Sequence, residues 1–247
     1  FVNKLTDWLS GHKSGYKVKF SNISEKYQMF AVQGPRSKDL INAMVEKSVD
    51  DQRFFTIRDN KIDGISVKIN RGGFTGEKFG YEIYVAPEDM PAIEAKLKAC
   101  GKPFGAVEVT DIQIMAWSLP TEAGFYCMRN LMHTNPFEVG LDRGIGWDKD
   151  FIGKEALLKI KEEGPAREMV GFTMDEDDVH INAMDLGGPG TPVTRNGEEI
   201  GRVSKFTYSF VLDKNIGYIL AKKGAVKPGD HVAIKSYDAV ISDKVFI

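Results

Sequence analysis

From Arg71 to Val85 the chain reads RGGFTGEKFGYEIYV, four glycines ahead of a short apolar run that carries one carboxylate, Glu82, between aromatic and aliphatic neighbours. Side chains alternate along a strand, so Glu82 and Tyr84 share one face while Tyr81, Ile83 and Val85 share the other. If the second face meets a core, an acid and a phenol project together into a cleft. A carboxylate held there can accept two hydrogen bonds from the N–H groups of a pterin-like ring, and a nearby aromatic can supply stacking surface. The competing reading leaves Glu82 on a solvated strand face and gives the glycines no task beyond a turn. Composition alone favours that second reading.

Few other residues offer chemistry by type and spacing. Trp117, Trp147 and Tyr126 are able to line an aromatic pocket, although isolated aromatics more often fill cores. His133, beside Thr134-Asn135-Pro136, is a candidate proton shuttle, but a lone turn histidine is more often solvated or structurally hydrogen-bonded. Glu138 and Glu155 read as helix-end or surface charges. The acidic run Asp175 to Asp178 lacks the spacing of a calcium loop and reads as a solvated turn. Cys100 and Cys127 have neither a CxxC partner nor a histidine at ligand spacing, so no metal site or disulfide framework is expected. Both read as ordinary buried thiols.

The elements that must position these groups follow from periodicity. Residues 28–33 (QMFAVQ) form a strand closed by Gly34-Pro35, after which Leu40, Ile41, Met44 and Val45 recur at helical spacing. Phe54 to Ile57 and the alternating Ile65, Val67 and Ile69 predict a hairpin around an RDNKIDG turn. Tyr81 to Val85 is a further strand, and Pro91 opens a helix with Ile93, Leu97 and Cys100 on one face. Another helix, from about Lys154 to Glu162, is expected to bury Ala156, Leu157 and Ile160 before Gly164-Pro165 stops it. Beyond that point the composition changes to short strands with turn punctuation, including Asn196-Gly197, the pattern of a small β-barrel or sandwich. The predicted organisation is α+β, with one domain over 1–165 and a second over 166–247.

The bulk numbers exclude several classes. With 247 residues and 42% hydrophobic content the chain can bury a sizeable core. A net charge of −2, without a basic cluster, gives no footprint for nucleic acid or an anionic membrane. No apolar stretch approaches the roughly 20 residues that span a bilayer, and FVNKLTDWLSGHK lacks the apolar block of an export signal. A soluble, cytoplasmic protein is expected. The first residue is Phe, and Val2 to Leu9 reads like the middle of a domain, which points to a missing N-terminal segment.

The pattern Thr75-Gly76-Glu77…Gly80-Tyr81-Glu82 resembles the TGE…G(Y/F)E motif of the glycine-cleavage T-protein family and its relatives among tetrahydrofolate-dependent O-demethylases. Further blocks match in the same order: Ala31-Val-Gln-Gly-Pro, Glu122-Ala-Gly, Thr134-Asn-Pro-Phe-Glu-Val-Gly-Leu, Asp150-Phe-Ile-Gly-Lys-Glu-Ala-Leu and Gly201-Arg-Val-Ser…Thr207-Tyr-Ser. The resemblance implies a folate-binding domain followed by a C-terminal β-barrel, with tetrahydrofolate as cofactor and Glu82, the second Glu of the motif, on its pterin. By the same resemblance Glu77 and Tyr208 are expected near the cofactor; Trp117 is expected there as an aromatic lining residue, and Tyr81 or Tyr84 would shape or polarise the site of a small one-carbon donor.

Departures from the family pattern sharpen the expectation. One extra residue separates Glu77 from Gly80, and Pro120 stands where relatives carry an Arg before Glu-Ala-Gly. The Asp148-Lys-Asp-Phe-Ile-Gly stretch leans towards the vanillate and syringate O-demethylases. The family domain normally begins well before the TGE motif, and the Asp that serves aminomethyl transfer lies in that earlier part, which another chain would have to supply if it is absent. The leading expectation is therefore transfer of a one-carbon unit, methyl or aminomethyl, from a small donor to N5 of tetrahydrofolate, leaning towards demethylation. Aminomethyl transfer from a lipoyl carrier protein is the alternative within the enzyme class, and a non-catalytic folate-binding module or fragment the alternative outside it. Relatives that assist iron–sulfur assembly carry a KGCYxGQE-like segment, and this sequence has none.

Overall fold

A computed structural model describes residues 2–247. They gather into two compact units, one formed by the chain up to Gly73 with Glu77–Glu108, the other by Phe74–Gly76 with Val109–Ile247.

The first unit contains α1 (Val2–Gly11), β1 (Gln28–Gln33), α2 (Ser37–Met44), β2 (Thr56–Ile62), β3 (Ile65–Arg71), β4 (Gly80–Val85) and α3 (Met90–Gly101). Its strands form an antiparallel sheet in the order β1-β4-β3-β2. Alternation decides what each face carries. Val67, Ile69, Tyr81, Ile83 and Val85 are buried against Leu40, Ile41 and Met44 of α2 and Ile93 of α3, and burial of this apolar surface is the main force holding sheet and helices together. Leu97 and Cys100 pack at the margin of the same cluster. The opposite face carries Ile57, Asn70, Glu82 and Ala31, one from each strand, aligned by register.

The predicted hairpin is present but its turn is much shorter than RDNKIDG. β2 runs through Arg58-Asp59-Asn60-Lys61, and only Asp63 and Gly64 turn, with φ of 49° and 80°. Positive φ at both central residues matches the twist of paired strands, which is why two residues suffice. Polar sequence disguised an edge strand. Asn60 is buried and exchanges side-chain hydrogen bonds with the Lys47 backbone at 2.7 and 3.1 Å, while Arg58 pairs with Asp51 and Asp59 with Lys68.

The second unit opens with a π-helical turn (Ile114–Ser118), α4 (Leu119–Glu122), a 3-10 turn (Met128–Leu131), α5 (Pro136–Val139) and α6 (Lys154–Glu163). No residue of α6 is fully buried: Ala156 is exposed, and Leu157 and Ile160 are half-buried. The expected burial of that helix is thus corrected, its charged residues leaving only a narrow apolar stripe. Gly164, with φ of 80°, ends it.

The strands β5 (Arg167–Met174), β6 (Pro192–Arg195), β7 (Glu198–Ser209), β8 (Lys214–Lys222), β9 (His231–Ile234) and β10 (Tyr237–Ser242) close into a barrel in the order β10-β5-β8-β7-β6-β9. Closure removes free sheet edges. Asn196 and Gly197, at φ of 54° and 82°, make the β6–β7 turn. Phe172, Val193, Val203, Ile219, Val232 and Ile241 fill the interior. On the outside, Met169, Tyr218 and Leu220 pack against Val139, with Tyr126 and Phe246 alongside. The protein is therefore α+β with a C-terminal β-barrel, and residues 109–165 pack with that barrel. Among the described residues no helix is long and apolar enough to cross a membrane.

Candidate functional site

Glu82 is half-buried on the sheet face away from α2 and α3. Its Oε2 accepts hydrogen bonds from Asn70 Nδ2 at 2.9 Å and from the Tyr84 hydroxyl at 2.7 Å. Asn70 stands directly across from Glu82 on β3, whereas Tyr84 is two residues along β4 on the same face. Burial, then the bond to Glu82, pushes the Tyr84 phenol up to about 12. The result is a fixed carboxylate whose second oxygen, Oε1, takes no hydrogen bond among the described residues. Asn70 was not singled out by sequence. Its signal was available, since alternation places it opposite Val67 and Ile69, on the face of Glu82 once β3 pairs with β4.

Tyr81 does not join this cluster. Its ring lies in the sheet–helix core, fully buried, and its phenol is without a hydrogen-bond partner among the described residues. The expectation that it shapes a donor site is corrected by alternation itself: a neighbour of Glu82 on one strand must point to the other face. Tyr84 is the tyrosine beside the carboxylate.

The glycines before β4 answer to close approach. The Gln33 amide bonds to the carbonyls of Gly72 and Tyr81 at 3.2 and 3.4 Å, and a Cβ on Gly73 or Gly80 would lie 2.1 or 2.2 Å from its Oε1. Gly76, at φ of 86°, would put a Cβ 2.1 Å from that of Ala123, in the Glu122-Ala-Gly block. Glu77, beside it, is exposed.

Trp117 and Tyr208 lie in the second unit. The Trp117 ring sits 5.1 Å from Lys205 Nζ. Lys205 and Asp185 are both buried, with Nζ 3.7 Å from Oδ2, and Cys127 Sγ lies 2.9 Å from Asn130 Oδ1 and 4.0 Å from Asp185 Oδ2. Burial lifts the Asp185 carboxyl above its ordinary value and lowers the Lys205 ammonium. The Tyr208 hydroxyl bonds to Asp213 across the β7–β8 hairpin and its ring meets Phe210 edge-on. Cys100 and Cys127 are each half-buried rather than buried.

The remaining candidates are structural. Glu138 is buried, not a surface charge: it closes a capping box with Asn135 at the start of α5 and pairs with Arg167 at 2.8 Å. Exposed Glu155 sits in the first turn of α6. His133, at φ of 59°, offers its carbonyl to Arg167 at 2.7 Å. Tyr126 bonds to the Val139 carbonyl at 3.0 Å, and Trp147 lies 6.4 Å from each of Phe137 and Phe151. Pro120 is buried in the first turn of α4. Among the described residues no group of three or more His, Cys, Asp or Glu is placed to hold a metal ion.

The fold and the site define a class: an antiparallel sheet backed by helices, presenting a carboxylate, an amide and a phenol on its other face, in a chain that ends in a closed six-stranded barrel. Residues 1–149 match the GCVT N-terminal domain, and residues 167–247 match the glycine cleavage T-protein C-terminal barrel domain. The chain belongs to the glycine-cleavage T-protein family. It is 30% identical to an aminomethyltransferase of Thermotoga sp. strain RQ2, over 99% of this chain and 66% of that protein. An aminomethyltransferase of Caldanaerobacter subterraneus subsp. tengcongensis is 31% identical, over 99% of this chain and 65% of the relative. The chain thus spans just under two thirds of the length of these curated relatives. The crystal structure of the glycine cleavage system aminomethyltransferase T from Bartonella henselae shares the fold, with a TM-score of 0.83 at 20% identity, covering 99% of this chain and 66% of that one.

Proposed function

We propose that this chain forms part of a tetrahydrofolate-dependent one-carbon transferase that moves an aminomethyl group, with the pterin anchored on Glu82. The observation that carries the reading is the geometry of that carboxylate, held by Asn70 and Tyr84 on the sheet face away from α2 and α3 with one oxygen left to accept. Bound tetrahydrofolate supplies N5 as the nucleophile. The protein's share is then positioning and local electrostatics rather than a covalent intermediate on a side chain. Glu82 orients the ring edge, and Tyr84 fixes the carboxylate rotamer.

The relatives' names favour aminomethyl transfer, and this moves the reading away from the demethylation suggested by the Asp148 to Gly153 stretch. A lipoyl-bearing carrier protein is the partner that such a donor requires. Trp117, Tyr208 and Glu77 remain proposed contacts, as does the division of the chain into 1–165 and 166–247. Calorimetric titration with tetrahydrofolate tests the anchor: Glu82→Ala and Glu82→Gln should each weaken binding by roughly 1.5–3 kcal/mol, the range for a hydrogen bond to a charged group. Unchanged affinity in both variants removes Glu82 from the site.

A further inference from the structure

Glu82 alone does not complete the acceptor edge of this face. Its Oε2 is engaged by two donors, Asn70 Nδ2 and the Tyr84 hydroxyl, so a ligand meets Oε1 rather than an open two-oxygen fork. The orientation of the Asn70 amide follows from this contact. A carboxylate is an acceptor only, so Nδ2 must face it and the amide oxygen must point away. Among the described residues Oδ1 of Asn70 takes no hydrogen bond. Asn70 and Glu82 are cross-strand partners, on strands about 4.8 Å apart, so both unengaged oxygens belong to one cross-strand pair on one face of the sheet. At the ends of the same row stand Ile57, across from Asn70, and Ala31, across from Glu82. The row therefore carries a carboxylate and an amide side by side between two apolar side chains, one of them very small.

We infer that Asn70 is a second ligand-binding residue, and that this row selects a flat heterocycle with two neighbouring N–H donors, the 2-amino-4-oxopyrimidine edge of a reduced pterin. The acidic ring N–H goes to the charged Glu82 Oε1, and the exocyclic 2-amine to Asn70 Oδ1. This rests on the proposed pterin site and adds to it the residue that reads the 2-amino group.

The test compares tetrahydrofolate with its 2-desamino-2-methyl analogue, by calorimetry, on the wild-type chain and the Asn70→Ala and Glu82→Gln variants. Asn70→Ala should bind tetrahydrofolate about five- to tenfold more weakly, as for loss of one neutral hydrogen bond, and lose distinctly less affinity for the analogue, which keeps only the Glu82 contact that Asn70 helps to hold. Glu82→Gln should weaken both ligands. Unchanged tetrahydrofolate affinity in Asn70→Ala overturns the inference. So does an equal loss for both ligands, which makes Asn70 only a support for Glu82. Failure of the wild type to bind tetrahydrofolate, or indifference to Glu82→Gln, overturns the pterin site itself and this inference with it.

Discussion

Tyr84 gives its hydroxyl hydrogen to Glu82 and is itself partly withdrawn from water, and both circumstances disfavour the phenolate. Its pKa in the folded chain, about 12, lies above the ordinary tyrosine value near 10. A raised folded pKa contributes stability that is fully present below pH 10 and is lost as pH climbs through 12. Ultraviolet titration of tyrosinate should therefore show a late-titrating group that Tyr84→Phe removes and Glu82→Gln shifts down. A titration in which Tyr84→Phe removes a group near 10 contradicts the contact. This pair was legible in the sequence, because a two-residue alternation was enough to put Glu82 and Tyr84 together. The same alternation, applied to Tyr81, excludes it from the site. Asn70 was harder to see, since its place beside Glu82 depends on the pairing register of two strands and not on one.

Register also explains the least legible element, β7. The pairing with β8 slips between Val203 and Lys205, leaving Ser204 as an extra residue, and such a bulge reverses which face later side chains occupy. Val203 consequently fills the barrel and Phe206 packs at its margin. Lys205, Thr207 and Ser209 turn outward instead, to Asp185, Ser118 and Glu122. Nothing in VSKFTYS announces the slip, so neither the buried lysine nor its aspartate was foreseen. At 3.7 Å with both partners buried, the pair gains little beyond mutual neutralisation, but removing one charge strands the other. Lys205→Met should cost about 3–5 kcal/mol in denaturant unfolding near neutral pH, and Lys205→Met with Asp185→Asn should recover most of it. The folded Asp185 pKa is raised, so the penalty in the single variant should be smallest below the unfolded carboxylate value and grow as pH rises through the folded one. A double variant as unstable as the single contradicts the pairing.

At the scale of the whole chain, the α+β class, the barrel and the order of the family blocks were legible because each rests on local patterns: strand alternation, turn dipeptides and short motifs. Two things were not. The β2 strand looked like a turn because its outer residues are charged, and the grouping of residues 109–165 with the barrel depends on contacts between short helices and β5, β7 and β8 that no periodicity encodes. The claim on which the functional account depends is that a reduced pterin binds on the Glu82 face of the sheet. Crystallography of the chain with tetrahydrofolate measures this most directly. The account expects the 2-aminopyrimidinone edge at about 2.7–3.2 Å from Glu82 and Asn70 oxygens; density placing the pterin elsewhere, with Glu82 facing only solvent, contradicts it.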